Sequence, residues 1–293
     1  MKPPRFLYCD PDTLEEAVAL KSQHEFDALV LAGGQSLMPM LNMRLAGPEV
    51  LIDINGVTDL QHIGRINGTL EIGAGVRQSV LEAHSEAAVA VPLIAAAMPH
   101  IGHIENRHRG TVGGSIAHAD AAAELPCTAV TLDAVIVVRS ERGERQIAAT
   151  DFFQGFLTNA CEPDELVVAI RYPVTSPTAG SAFTEFARRE GDFALASAGA
   201  VAEVDADGRF TSVAIGVGSI TTKPVRARAI EEALLGRAAT SDVIKDAARQ
   251  IGDAVTLSSD MHATSRYRRH LATTVVTRAV AAAAADAQNR SAS

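Results

Sequence analysis

Two glycine-centred segments constrain this chain most. The first, Ala32-Gly33-Gly34-Gln35-Ser36, follows the apolar run Ala28 to Leu31, and the second reads Thr111-Val112-Gly113-Gly114-Ser115. Paired glycines let backbone amides approach a ligand closely and adopt φ > 0 without a steric penalty. Successive amides arranged in this way form a concave anion-binding nest. Gly-Gly-Ser also builds ordinary turns. Two nests in one domain predict an extended polyanion held between them, and a dinucleotide diphosphate is the candidate.

The remaining composition narrows the choice. With 293 residues, the chain predicts two domains, or one large domain with subdomains. Hydrophobic residues make up 47%, enough for a sizeable core. The net charge is −9 and the basic residues are dispersed, which argues against a nucleic-acid partner. Cys9, Cys127 and Cys161 form no C-x-x-C pair, so neither an iron–sulfur cluster nor a structural zinc is expected in this chain. Sparse cysteines fit a reducing cytoplasm. Met1-Lys2-Pro3-Pro4 leads into no apolar h-region, so no secretory leader is expected. The alanine-rich run from Val280 to Ala285 is too short to span a bilayer.

Periodicity lays out the elements. Thr13 and Glu16 have capping-box spacing ahead of a helix. Ala28 to Leu31, Leu51 to Ile54, Leu70 to Gly73, Val135 to Val138 and Leu166 to Ile170 read as strands. Ser79 and Glu82 repeat the capping signature before a helix expected to end near Ala88, and Pro92 opens another that Pro99 ends. Pro173 to Thr178 has linker composition and marks a domain boundary. Beyond it, Phe183 to Ala187 reads as a strand, and Asp205-Ala206-Asp207-Gly208 joins two more in a hairpin. Helices follow from Ala227 to Leu235, from Ser241, and from Ser265 onward. Strands followed by helices make this second part an α+β domain.

Other motifs carry weaker chemistry. Gly73-Ala74-Gly75 lacks the third glycine of a dinucleotide fingerprint, since Gln78 stands there, and reads as a turn. His100, His103, His108 and His118 surround the second glycine pair but match no zinc pattern. Asp120 and Glu124 would share a face if their segment were helical. That spacing suits general acid–base work or, better, hydrogen bonds to a ribose or adenine. Neither Ser36 nor Ser115 sits in a G-x-S-x-G elbow.

The segment from Ala32 to Ala46, with Leu51-Ile52-Asp53-Ile54-Asn55 after it, resembles the first FAD motif of the flavoprotein subunits of molybdenum hydroxylases. The segment from Gly110 to Pro126 resembles their second FAD motif. Arg188-Arg189-Glu190-Gly191-Asp192-Phe193-Ala194-Leu195-Ala196 resembles their segment near the isoalloxazine ring, and Ser259 to Arg269 resembles their C-terminal segment. The nearest type is the medium subunit of carbon monoxide dehydrogenase, with a similarity also to the FAD domain of xanthine dehydrogenase. The resemblance implies an α+β fold. Residues 1–176 would be a two-subdomain FAD-binding domain of the vanillyl-alcohol-oxidase type, divided near 58–62. Residues 177–290 would be an α+β domain with an antiparallel three-stranded sheet and helices.

It also implies a division of labour. This chain would hold FAD, and a large partner subunit would bear a molybdenum–pterin cofactor. A small partner would bear two [2Fe–2S] clusters, the whole forming a dimer of heterotrimers in the cytoplasm. Ala32, Gly33, Gly34, Gln35, Ser36 and Leu37, with Thr111, Gly113, Gly114 and Ser115, would cradle the diphosphate and ribityl groups. His118, Asp120 and Glu124 would bind around the nucleotide. Ile170 and Arg188 would lie near the ring, with Phe193 where some relatives place a tyrosine and Gln35 where some place a histidine. No side chain is expected to act as a catalytic acid, base or nucleophile. Two other readings stay open: a free-standing FAD-dependent oxidase and a non-catalytic nucleotide-binding module.

Overall fold

The computed structural model of the chain describes residues 2–291. The first lobe is a small unit built on a three-stranded sheet. Strands β1 (Leu7–Cys9), β2 (Ala28–Leu31) and β3 (Val50–Asp53) form a parallel sheet in the order β1-β3-β2. Helix α1 (Leu14–His24) covers it through Leu14, Ala17 and Val18, and the short α2 (Leu37–Asn42) leads out of the first glycine segment. Thr13 caps α1 as its spacing predicts: its Oγ1 accepts the Glu16 amide at 3.2 Å, while Glu16 Oε2 accepts the Asp12 amide.

The second lobe is an antiparallel sheet of five strands in the order β4-β5-β10-β6-β7. Its strands are β4 (Ile63–Ile66), β5 (Thr69–Gly73), β6 (Val135–Ser140), β7 (Gly143–Ala148) and, after a two-stranded ribbon of β8 (Phe153–Gly155) and β9 (Thr158–Asn159), β10 (Leu166–Pro173). Strand β10 is central and its first five residues are buried, which is why Leu166 to Ile170 is one unbroken apolar run. A bulge between Val167 and Ala169 splits its side chains. Leu166, Val168 and Ala169 join the core of the first lobe, and Ile170 and Tyr172 face the helices. Those helices are α3 (Gln78–Glu82), α4 (Ser85–Ala90), α5 (Pro92–Ala97), α6 (Ile104–Arg109), α7 (Val112–His118), α8 (Glu124–Thr131) and α9 (Ala149–Phe152). Ser79 does not cap α3. The cap lies two residues earlier, at Arg77, and the helix stops at Glu82 rather than running to Ala88. His84 then caps a separate helix, its Nδ1 accepting the Ala87 amide at 3.2 Å.

The third lobe is an antiparallel sheet, β11 (Gly180–Phe186), β12 (Ala196–Val204), β13 (Phe210–Gly218) and β14 (Val225–Arg226), in sequential order. It has four strands where three were expected. The extra one is two residues long and is held from outside the sheet: Arg226 donates to Thr131 O and Asp133 Oδ2, each at 2.8 Å, and pairs with Glu231. A strand fixed by an arginine reaching another lobe leaves no local periodicity to read. One face of the sheet carries α10 (Arg228–Leu234), α11 (Ser241–Ala248), α12 (Ile251–Ala254) and the long α13 (Ser265–Ser291). Helices α5 and α8 of the second lobe pack against the other face through Leu93, Ala97, Cys127 and Phe183. Gly216 lets α8 come this close, because a Cβ there would overlap Thr131 Oγ1.

Arg268 explains the C-terminal sequence segment. It is 4% exposed and donates to Leu195 O at 2.8 Å, to Ser219 O, and to Asp260 Oδ2 at 2.5 Å. It therefore ties the loop after β11, the end of β13 and the turn before α13 into one unit.

Candidate functional site

Strand β2 delivers the first glycine segment to the rim of the first lobe. Gly34 has φ +71°, a left-handed conformation that glycine adopts without strain. The chain turns there and enters α2. Among the described residues, the amides of Gly34, Gln35, Ser36 and Leu37 donate to no acceptor within the chain. The Ser36 hydroxyl makes no cap bond either. A row of unpaired N–H groups at a helix start is an anion site by composition and by dipole.

This rim is pressed against the end of α6. A Cβ on Gly33 would lie 2.5 Å from Arg109 O and 2.6 Å from Gly110 Cα. Backbone meets backbone, so only glycine fits. A network of side chains fastens the contact. Tyr8 Oη donates to Asp53 Oδ2 at 2.7 Å, and Asp53 Oδ1 accepts the Asn55 amide at 2.9 Å. Asn55 Nδ2 donates to Ala32 O at 2.9 Å. Arg77 donates through Nη2 to Asn55 Oδ1 at 2.6 Å and through Nη1 to Arg109 O. Asn106 Nδ2 completes the bridge, donating to Gln35 Oε1 at 3.0 Å. The hydrogen bond to Asp53 pushes the Tyr8 phenol up to about 12, so it stays a donor. Burial, with Arg109 nearby, lowers Arg77 from its ordinary value.

The second glycine segment is built differently from the expectation. It is not a second nest. Thr111 caps α7, its Oγ1 accepting the Gly114 amide at 3.0 Å, and Ser115 N donates to Thr111 O at 3.2 Å. Val112 N donates to Val76 O and Gly113 N to Ala74 O, each at 2.9 Å. Every amide from Val112 to Ser115 is therefore spent inside the chain. Gly113 is needed because a Cβ would overlap Ala74. Gly114 stands beside Ala32, where a Cβ would lie 3.5 Å from Ala32 Cβ and 2.8 Å from Thr111 Oγ1. The segment forms a bare wall next to the nest.

After α7 the left-handed Ala119 (φ 55°) swings the chain into a turn. Asp120 is not on a helix face with Glu124: its Oδ1 accepts the Ala122 amide at 2.9 Å, and α8 begins only at Glu124. Glu124 is 7% exposed. Burial pushes its carboxyl well above the ordinary range, as it does for Glu185 on β11, and the two lie in contact. His118, the last residue of α7, is half-buried beside this turn.

The residues expected near a ring divide. Arg188 and Phe193 stand on the loop between β11 and β12, with Phe193 72% exposed. That loop rests on the start of α6, since a Cβ on Gly191 would overlap the His103 ring. Ile170 is not brought to the site. Its side chain has no exposed surface, and its backbone is paired on both sides, with Ile72 and Ile136. Gly75 lies in a turn as expected, but Gly73 is the last residue of β5, paired with Ala169; their amides donate to Leu60 O and His62 O at 2.8 Å.

Two of the histidines take structural places. His100 packs on Phe183 with ring centroids 5.5 Å apart, and the His103 amide donates to Asn106 Oδ1 at 3.0 Å. Among the described residues no set of three His, Cys, Asp or Glu is placed to hold a metal ion. Sequence reasoning missed Arg77 and Asn106. Neither has a local signal, because each acts on a partner far along the chain.

Comparison with known proteins agrees with this geometry. The family model described as the FAD binding domain in molybdopterin dehydrogenase matches residues 4–175, and that of the CO dehydrogenase flavoprotein C-terminal domain matches residues 181–283. The caffeine dehydrogenase subunit beta of Pseudomonas sp. (strain CBB1) is 40% identical, across 97% of this chain and 96% of that one. The carbon monoxide dehydrogenase medium chain of Hydrogenophaga pseudoflava is 33% identical, across 97% and 98%. Among solved structures, quinoline 2-oxidoreductase from Pseudomonas putida 86 superposes with a TM-score of 0.93 at 33% identity, covering 98% of this chain and 99% of that one.

Proposed function

Because this chain belongs to the family of FAD-binding subunits of molybdenum hydroxylases, and is an oxidoreductase subunit, we propose that it relays electrons from a partner's iron–sulfur clusters to an external acceptor. The single observation that carries the cofactor assignment is the row of unpaired amides from Gly34 to Leu37, locked by glycine contact to the end of α6. A diphosphate supplies the anionic oxygens that such a row lacks.

In this reading Ala32 to Leu37 hold the diphosphate. Thr111, Gly113, Gly114 and Ser115 form the adjoining wall, and the Ser115 and Ser36 hydroxyls are free to bind polar groups. His118, Asp120 and Glu124 face the ribityl and nucleotide hydroxyls, and Arg188 and Phe193 border the acceptor side. Bound flavin supplies the means to take electrons singly and deliver them in pairs; the chain's part is to bind, orient and shield it. No side chain is asked to move a proton from a substrate.

The partners in this proposal are a large molybdenum–pterin subunit and a small subunit with two [2Fe–2S] clusters, assembled as a dimer of heterotrimers in the cytoplasm. Residues 1–176 and 177–290 act as the flavin-binding and covering units, the first divided near 58–62. Relatives carry names for caffeine, nicotine, glyceraldehyde and carbon monoxide, a spread that supports a substrate choice made on the large partner subunit. A free-standing oxidase is the less supported reading, since the matched relatives are named as subunits over nearly their full length. The test is an absorption spectrum of the purified chain with mass spectrometry of the cofactor released by heat, then co-expression with candidate large and small subunits. Near-stoichiometric FAD, reduced by substrate only in the complex, supports the proposal. Reduction by a small substrate in the isolated chain overturns it in favour of the oxidase.

A further inference from the structure

The seam between the second and third lobes holds an unusual polar cluster. Glu124 opens α8 and is almost fully buried. Glu185 on β11 lies in hydrogen-bond contact with it, from the other lobe. Glu185 Oε2 is buried and meets no N–H or hydroxyl donor. On β12, Ser197 stands directly opposite Glu185, and its Oγ is likewise buried without a partner. A buried carboxylate oxygen with no donor is costly, and two adjacent carboxylates cannot both ionise there. A proton placed between them satisfies both.

We propose that Glu124 and Glu185 share one proton across this seam, and that Glu185 is thereby a positioning residue for the cofactor site, holding the start of α8 and the Glu124 carboxyl in place. This rests on the flavin reading above. The groups that face the pair add no positive charge at neutral pH. Asp120 in the preceding turn is acidic and raises Glu124 further. Cys127, one turn along α8, is a neutral thiol pushed up to about 12 by burial. His100, packed at a tilt against Phe183 of β11, is lowered by burial. Strand β12 contributes only the Ser197 hydroxyl. Burial raises both carboxyls; the charge of Glu124 raises Glu185 further, while the hydrogen bond from Glu185 partly offsets the rise of Glu124.

The sign follows from linkage. The folded chain holds this proton more tightly than the unfolded chain does. The stability it confers is complete at low pH and is lost as pH rises from the ordinary carboxylate range into the neutral range. The substitution Glu185→Gln puts a side-chain amide in place of the carboxyl, which keeps a donor for Glu124 without titrating. Glu185→Leu removes the contact at every pH.

The experiment follows thermal unfolding and FAD affinity of the full chain between about pH 5 and about pH 9, with flavin removed and restored. The wild type is expected to lose melting temperature and to release flavin more readily as pH rises. Glu185→Gln is expected to flatten both curves, and Glu185→Leu to lower both at all pH values. Equal pH slopes in wild type and Glu185→Gln overturn the shared proton. A flattened unfolding curve with FAD affinity unchanged at every pH overturns the positioning role. If the wild type binds no FAD at any pH, the cofactor reading itself has failed, and the flavin-free unfolding curves still decide the proton.

Discussion

Gly33→Ala isolates the contact on which the candidate site depends. Gly33 does not occupy the left-handed region, so alanine brings no backbone strain, only a methyl group. That methyl would sit 2.5 Å from Arg109 O and 2.6 Å from Gly110 Cα, both backbone atoms that cannot rotate aside. Reaching an ordinary contact near 3.4 Å requires the two segments to part by roughly 0.9 Å. Overpacking of this kind costs about 1–3 kcal/mol. The same opening stretches the Asn106–Gln35 bridge and the Arg77–Arg109 O bond, which set the spacing of the site. If half or more of that cost falls on the flavin-bound geometry, FAD affinity drops by about two- to 150-fold. The assay is FAD titration of flavin-stripped protein, with melting temperature measured alongside. Gly64→Ala is the control, since nothing lies within 4 Å of its added methyl. Wild-type affinity and melting temperature in Gly33→Ala would refute the view that this backbone contact shapes the site.

Three further outcomes are expected. Arg77→Met keeps the stem but removes the charged bonds to Asn55 Oδ1 and Arg109 O; it should cost about 2–4 kcal/mol of stability in thermal or urea unfolding and weaken FAD binding. Gly34→Val forces a β-branched residue into φ +71° and covers the free amides, so flavin should be lost from the purified protein while Gly64→Ala retains it. Arg268→Met strands Leu195 O and Ser219 O in the interior and should destabilise the third lobe by about 3 kcal/mol, read as an earlier unfolding transition, with FAD affinity changed less than in Arg77→Met.

The strands from Ala28, Val50, Thr69, Val135 and Leu166, the hairpin at Asp205–Gly208 and the long helix from Ser265 all lay open in the residue pattern. Burial on one face or both leaves a period in the sequence, and Asp-Gly marks its turn by local backbone energetics. The glycine rim at 33–34 was legible for the same reason: only glycine accepts φ +71° and direct backbone contact without cost.

What the sequence could not decide is which backbone groups would remain unpaired. Gly33-Gly34 and Gly113-Gly114 look alike in print. The first keeps free amides, while the second gives its own to Ala74 O and Thr111 Oγ1. The helix start at Arg77 rather than Ser79, the two-residue strand β14, the burial of Ile170 and the meeting of Glu124 with Glu185 have the same origin. Conformational preference belongs to a residue and its neighbours, so it is written locally. Hydrogen-bond satisfaction and proton sharing belong to pairs that only the packed lobes bring together, and tertiary structure alone decides them.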